Sequence, residues 1–544
     1  MSWCSGCPRA STLSTLSARP QAVLLDFLVS GYTCRVIFVA RSGSVEYPFP
    51  ESAVARYDEL AGAEGNGAVD GQTWQDLLLP AYLAQLGAGA SIFGRQMLYR
   101  RLRRGQDAGA ASSGRVRALL SDGAVRERLA AQLSHLREAS AEVCEALFLP
   151  PLLAASGSDG ASRAASASPL APPPRWAGWL WLLPLAFLVC IAASFFWLPA
   201  LVPTLVLSLL LAAIQVAFSA RMQLWQPVAE ALQLQLYVHS RQEDAPGVAQ
   251  AAQLRGKLAR NKVAAAPGVA EYADWFMLAN LKHFFATRRL VREHAAFLRD
   301  SYRLVAGLDA DLALARHVSA LQQWCWAEEG WEQEIQLQAV HHPLLSGTEA
   351  LDLSLEGRSA FISGQNGIGK STLLRTVGLN LLAARAFGFC YAAAARVPNL
   401  PVYASMQNED ALEGGESLYQ SELRRAQELL ALAKEPQRAV FIIDEIFRGT
   451  NHLESVSAAA AVLEQLCARG TVLVSSHNVV LAQLLEPCCV PLLVQKRAGR
   501  LALTPGVLAD TNGLTLLAQS GFEPAIEQRA RDVYKRLSGR LVSA

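Results

Sequence analysis

The sequence predicts a parallel α/β domain built on a phosphate-binding loop, joined to an all-α region that a two-helix transmembrane hairpin interrupts. Three observations predict it. A glycine-rich loop at 364–371 lies between strand-like and helix-like text. An apolar run at 440–443 ends in two acids, Asp444 and Glu445. Trp176 to Ala220, 45 residues, contain no Asp, Glu, Lys or Arg.

The loop comes first because it carries chemistry. Gly364, Gln365, Asn366, Gly367, Ile368, Gly369, Lys370 and Ser371 fit the pattern GxxxxGK[ST] in full, with Thr372 following. SAFIS (359–363) reads as the strand before it and 371–387 as the helix after it. Glycines let backbone N–H groups turn inward around phosphates, and the helix N-terminus adds its positive end. Lys370 is expected to reach the β- and γ-phosphates of ATP, and the Ser371 hydroxyl to ligate Mg²⁺. AVFIIDE (439–445) reads as a buried strand that delivers Asp444 to Mg²⁺ and Glu445 to the attacking water. TVLVSS (471–476) reads as a third strand, delivering His477 to the edge where α/β sheets bind ligands. The chemistry expected is ATP hydrolysis to ADP and phosphate, with Glu445 and His477 as catalytic residues.

The charge-free stretch holds two runs near the length a spanning helix needs, 177–197 and 201–219, separated by Leu198-Pro199 and Pro203. Trp176, Trp179, Trp181 and Trp197 fit interfacial belts, and Arg175 and Arg221 place both flanks in the cytoplasm. The location expected is therefore the inner (cytoplasmic) membrane, with the other domains cytoplasmic.

Around these anchors the chain divides as follows. Residues 1–65 are unassigned, with strand-like CRVIFVA (34–40) and a helix near 51–62. Residues 22–30 are apolar but short and carry Asp26, so they do not read as a cleavable signal. Residues 66–153 are helical, 154–175 form a linker rich in Ala, Ser and Pro, and 176–220 are the hairpin. Helical text resumes over 221–330, the α/β domain spans 331–536, and 537–544 are a tail. Arg100, Arg101, Arg103 and Arg104 read as a solvated or membrane-proximal helix end, with phosphate contact as the sharper reading.

Composition agrees. The 544 residues suit about three domains. They are 52% hydrophobic and 18% charged, which favours a membrane portion. A net charge of +2 leaves any nucleic-acid surface to local patches. Ten scattered cysteines suit a reducing cytosol. Cys4 and Cys7 form a single CxxC that reads as inert, and Cys488 and Cys489 are expected at the end of a buried strand.

Several segments resemble the MutS mismatch-repair ATPases. DEIFRGTN (444–451) is similar to the family's Asp-Glu-x-Gly-Arg-Gly-Thr stretch, with Phe447 where a Gly is usual. HHPLL (341–345), GESLYQSEL (415–423), SSHN (475–478) and 511–531 resemble further family segments in the family's order. More weakly, 69–79, Gly94 to Leu102 and 307–315 resemble its helical core, with levers at 110–150 and 226–305. The resemblance implies an ABC/MutS-like P-loop ATPase domain that pairs with a second copy. It implies that Ser417 reaches the partner's nucleotide and that Asn366 supports the γ-phosphate. The mismatch-reading domain has no counterpart in these residues, and the hairpin stands where the family carries its DNA clamp. This places the chain with a membrane-anchored branch.

The reading is thus an ATP-driven homodimeric switch anchored in a membrane, with DNA repair or recombination as one role. The rivals are a membrane switch or transporter-associated regulator with no DNA role, and a module that holds ATP without hydrolysing it.

Overall fold

The computed structural model describes residues 22–29, 32–39, 49–62, 68–105, 109–149, 178–260, 269–331, 333–345, 349–406, 418–449, 451–497, 500–508, 517 and 521–542. Cys4, Cys7, the 154–175 linker and Ser417 lie outside them. The chain falls into two units, Met1–Pro50 and Glu51–Ala544. In the first, β1 (Ala22–Val29) and β2 (Tyr32–Val39) pair antiparallel, Val29 opposite Tyr32.

The second unit opens with short helices: α1 (Glu51–Leu60), α2 (Gly71–Asp76), α3 (Leu79–Leu86), α4 (Ile92–Arg104), α5 (Gly109–Ser121), α6 (Gly123–Leu133) and α7 (Cys144–Phe148). The stretch expected as a lever, 110–150, is broken at Asp122. That side chain accepts from the N–H groups of Ala124 and Val125, capping a new helix. Further helices run over Val248–Leu258, Val269–Met277, Ala279–Glu293 and Ala295–Ser319.

Helix α4 packs on Ala295–Ser319 and on α1, and here the arginine cluster finds its partners. Arg101 donates to Asp311 at 2.7 Å, and Arg115 reaches the other oxygen of Asp311 at 2.7 Å. Arg100 and Arg104 pair with Asp58, with Arg103 at 3.6 Å from it. Arg100 and Arg101 are buried. The solvated helix end expected for these arginines is thus replaced by internal ion pairs, because unpaired charges are too costly to bury.

The charge-free stretch forms one 13-residue helix, Leu182–Ser194, and one of 39 residues, Leu201–His239, packed together. Among the described residues only the second is long and apolar enough to cross a membrane. A second spanning helix, as the expected hairpin needs, is not shown among the described residues. The first helix ends at Ser194, Trp197 is extended, and Leu198–Ala200 form a short 3-10 helix before the second begins. The second meets no comparable break at 219 and continues past Arg221, with Pro227 inside it.

The α/β domain has a six-stranded sheet in the order β10 (Val402–Ser405), β11 (Val440–Asp444), β12 (Thr471–Ser475), β7 (Ser359–Gly364), β13 (Cys489–Arg497), β14 (Arg500–Pro505). The first five are parallel and β14 is antiparallel to β13. Every residue of β7, β11 and β12 is buried, as expected of parallel strands covered on both faces. Beside it stands a mixed sheet that the expectation of one parallel sheet omitted. It runs in the order β4 (Glu328–Glu329), β9 (Ala394–Val397), β5 (Glu334–Val340), β6 (Leu351–Glu356), and a short pair joins β3 (Cys325–Trp326) to β8 (Phe389–Cys390). Strand β6 alternates buried and exposed residues, the mark of a sheet with one covered face. The last helix, Pro524–Val542, runs through most of the expected tail.

Candidate nucleotide site

Strands β11, β12 and β7 are neighbours and parallel, so their C-terminal ends share one edge. Each end delivers one part of the site. This is why residues 364–372, 444–445 and 477, far apart in sequence, converge.

Strand β7 ends at Gly364, and a turn leads into the helix Lys370–Phe387. The N–H of Ile368 donates to the carbonyl of Gln365 at 3.3 Å. Gly367 and Gly369 have φ of +74° and +106°, left-handed values at which a side chain would be strained. Lys370 is buried, and its Nζ lies 3.1 Å from the Gly364 carbonyl, 3.3 Å from that of Gln365 and 3.4 Å from Nε2 of His477. Burial lowers its pKa, and Glu445 and Asp444 draw it back up. Ser371 and Thr372 occupy the first helical turn, half-buried, while Gln365 and Asn366 are exposed in the turn.

Asp444 ends β11 opposite Ser475 and accepts that residue's hydroxyl hydrogen bond on Oδ1. Glu445 follows with φ of +58°, and its N–H donates to the Ser475 carbonyl at 3.0 Å. A positive φ on a non-glycine residue costs energy and persists where surroundings hold it. The Glu445 carboxylate lies 3.0 Å from Nε2 of His477 and 3.2 Å from Nε of Arg448. The hydrogen bond with His477 lowers its pKa, opposed by burial and helped by the charges of Arg448 and Lys370. The structure therefore brings together Lys370, Asp444, Glu445 and His477.

Ser475 and Arg448 were not singled out in the sequence. A serine two residues before His477, at the end of an adjacent strand, was the available signal for the first. A third group had none. The edge strand β10 is closed by residues from α2: the N–H of Ala404 donates to Thr73 Oγ1 at 2.8 Å and that of Met406 to Asp76 Oδ2 at 2.8 Å. Arg425 reaches both carboxylate oxygens of Asp70 at 3.2 Å and also Thr73 Oγ1 at 3.2 Å. Burial raises the Asp76 carboxyl to about 6.

Residues 360–537 match the family model described as MutS domain V. DNA mismatch repair protein MutS of Thermus aquaticus is 30% identical over 268 residues, 47% of this chain and 32% of that protein. DNA mismatch repair protein MutS 1 of Halobacterium salinarum is 30% identical over 270 residues, 47% of this chain and 31% of that protein. DNA mismatch repair protein MutS of Thermus thermophilus is 28% identical over 268 residues, 47% of this chain and 32% of that protein. The matched part of the chain, its α/β domain, is thus similar to the ATPase-type domain of the MutS family. It spans about a third of the length of the curated relatives it matches.

Two MutS-like segments gain a physical account. His341, in the HHPLL text, lends its carbonyl to the Nδ2 of Asn380 at 3.3 Å, tying that segment to the loop's helix. Phe447 has φ of +56°, where the glycine expected at this position would be relaxed. Phe447 instead buries its ring edge-on to Tyr419, with centroids 6.0 Å apart. Burial of an aromatic ring, worth roughly 1.5–3 kcal/mol, outweighs a left-handed penalty of about 1–2 kcal/mol.

Proposed function

We propose that this MutS-like chain hydrolyses ATP to ADP and phosphate and works as a dimeric switch held at a membrane. The convergence of Lys370, Asp444, Glu445 and His477 on one sheet edge carries the reading. The loop residues suit a phosphate chain: apart from the adjoining residues, no atom stands within 4 Å of where a Cβ on Gly367 or Gly369 would lie, so the backbone there is open to a ligand. Lys370, now resting on two carbonyls, is the cation that meets the phosphates.

Ser371 and Asp444 would hold Mg²⁺, a hard cation that prefers oxygen ligands, and it would offset charge on the phosphate oxygens. Glu445, with its lowered pKa, stays a carboxylate at neutral pH, so it orients the attacking water by accepting its hydrogen bond. His477 braces Glu445 on one side and Arg448 on the other. Water adds to the terminal phosphorus, the bond to the ADP oxygen breaks, and the proton released leaves with phosphate.

Pairing of two copies is supported by apolar residues left exposed beside the site. Leu453, just past Arg448, is 73% exposed, and Val480, just past His477, is 52% exposed. Ser417 is proposed to enter the partner's site. Membrane attachment is supported by the helix Leu201–His239, whose first half is charge-free. A DNA role is favoured by the names of the relatives, yet Arg100, Arg101 and Arg104, which would have met phosphate, are engaged by Asp58 and Asp311.

The test is ATP turnover by detergent-purified protein with plain, mismatched and branched duplexes. Glu445→Gln is expected to bind ATP and to lose about 100-fold or more in turnover. Unchanged turnover would remove Glu445 from its role. Stimulation by a mismatch would establish the DNA role, whereas a rate indifferent to every DNA would leave a switch whose ligand is protein or lipid.

A further inference from the structure

The sheet carries a second cluster at the end away from the nucleotide. Cys467 closes the helix His452–Cys467, which follows the Asp444–Glu445 strand. Cys489 opens β13 opposite Ser359, the first residue of β7. The six residues of β7 therefore separate this cluster from Gly364, about 17 Å of strand. Cys488 completes it.

The sulfurs stand at a telling spacing. Sγ of Cys467 and Cys489 are 3.7 Å apart, and those of Cys488 and Cys489 are 3.9 Å apart. All three lie within 4.8 Å of one another, the one such group of metal-binding side chains among the described residues. A disulfide requires about 2.05 Å, so these are separate thiols. Thiolates bound to one cation at about 2.3 Å are about 3.8 Å apart in a tetrahedral site and about 4.0 Å in a trigonal one. The two observed spacings lie within about 0.1 Å of the tetrahedral value.

The backbone holds the three in place. The N–H groups of Cys488 and Cys489 donate to the Leu485 carbonyl at 3.0 and 2.8 Å, and Cys489 is fixed in register with Ser359. Cys489 is buried, while Cys467 and Cys488 are half-buried and leave a path of entry. Soft thiolates with no carboxylate or imidazole in the group select a soft cation over Mg²⁺ or Ca²⁺.

We propose that Cys467, Cys488 and Cys489 form a three-thiolate site for a thiophilic d¹⁰ cation, Zn²⁺ or Cu⁺. Binding forms metal–sulfur bonds and releases thiol protons to solvent, with no change of oxidation state. The bound cation ties the helix behind the Asp444–Glu445 strand to the strand beside the phosphate loop.

The experiment uses the full chain in detergent, stripped with a chelator and kept reduced with a phosphine. Zn²⁺ is titrated against a coloured chelator, Cu⁺ against its own chelator, and Co²⁺ serves as a spectroscopic probe. One equivalent of Zn²⁺ or Cu⁺ per chain is expected, with a thiolate-to-cobalt charge-transfer band. Cys467→Ser and Cys489→Ser should each weaken binding at least about tenfold. Alkylation read by mass spectrometry gives an answer on the unaltered chain: metal should protect these three cysteines and not Cys4 or Cys7. Failure to bind, equal binding by the triple serine variant, or a disulfide at Cys467 in the purified protein would overturn the site.

Discussion

The long helix Leu201–His239 has two halves that reverse the usual relation between polarity and burial. From Leu201 to Ala220 it is charge-free, yet Val202, Leu205, Leu209 and Val216 are 57–66% exposed, with Leu211 and Gln215 buried. From Arg221 to His239 it carries charged residues, yet it buries Trp225, Ala229, Ala231, Leu232, Leu236 and Val238. The second half packs on the helices Val248–Leu258, Ala279–Glu293 and Ala295–Ser319. Trp225 donates to Thr287 Oγ1 at 2.9 Å and Gln235 to the Leu298 carbonyl at 2.9 Å. The difference teaches that a patterned face builds a core within the chain. The charge-free half leaves most of its apolar side chains open, and we propose that they need an apolar solvent, a membrane.

The largest expected effect tests that solvent. Leu205→Lys with Leu209→Lys, one turn apart, should cost about 2.5–3.5 kcal/mol each in a bilayer and shift the protein out of the membrane fraction. A doubly substituted chain that stays in that fraction, or a parent that is never found there, would break the comparison. Next comes the core half. Leu232→Ala should lower unfolding stability by about 2–5 kcal/mol, against under about 1 kcal/mol for Leu209→Ala. Denaturant unfolding in detergent reads both, and equal losses would show that the halves do not differ.

The smallest effect sharpens the second half. His239 is buried against Phe297 and hydrogen-bonded to the Pro246 carbonyl, and burial lowers its pKa. The fold thus prefers the neutral ring, so this stability is present above about pH 6.5 and is lost as pH falls below it. His239→Gln should flatten the decline in stability between pH 7 and 5. An unaltered slope would place the acid-sensitive group elsewhere.

The parts of the candidate site were legible because each is local: a loop with required glycines, and strands that end in the side chains they bring together. The charge-free stretch was equally legible, but not its helix lengths, since composition does not mark where Ser194 ends one helix or His239 the other. The fate of Arg100 and Arg101 was hidden because it depends on Asp58 and on Asp311, 210 residues from Arg101. Cys467 was unremarkable until the fold set it beside Cys489. The mixed sheet escaped because β4 has only two residues and β9 four, and because β5 and β6 mix polar with apolar residues instead of running apolar throughout.

The closure of β10 by Thr73 and Asp76 bears on how this protein can be taken apart. By sequence the ATPase region starts near residue 331, but the outer rim of its sheet is finished by residues some 330 positions upstream of those they bind. A fragment cut at 331 would leave the amides of Ala404 and Met406 without those acceptors, and Arg425 without Asp70. Such a fragment should aggregate through its open edge strand, whereas co-expressing residues 66–153 should restore it. During synthesis the order is favourable: the upstream helices emerge first and await the strand they will cap.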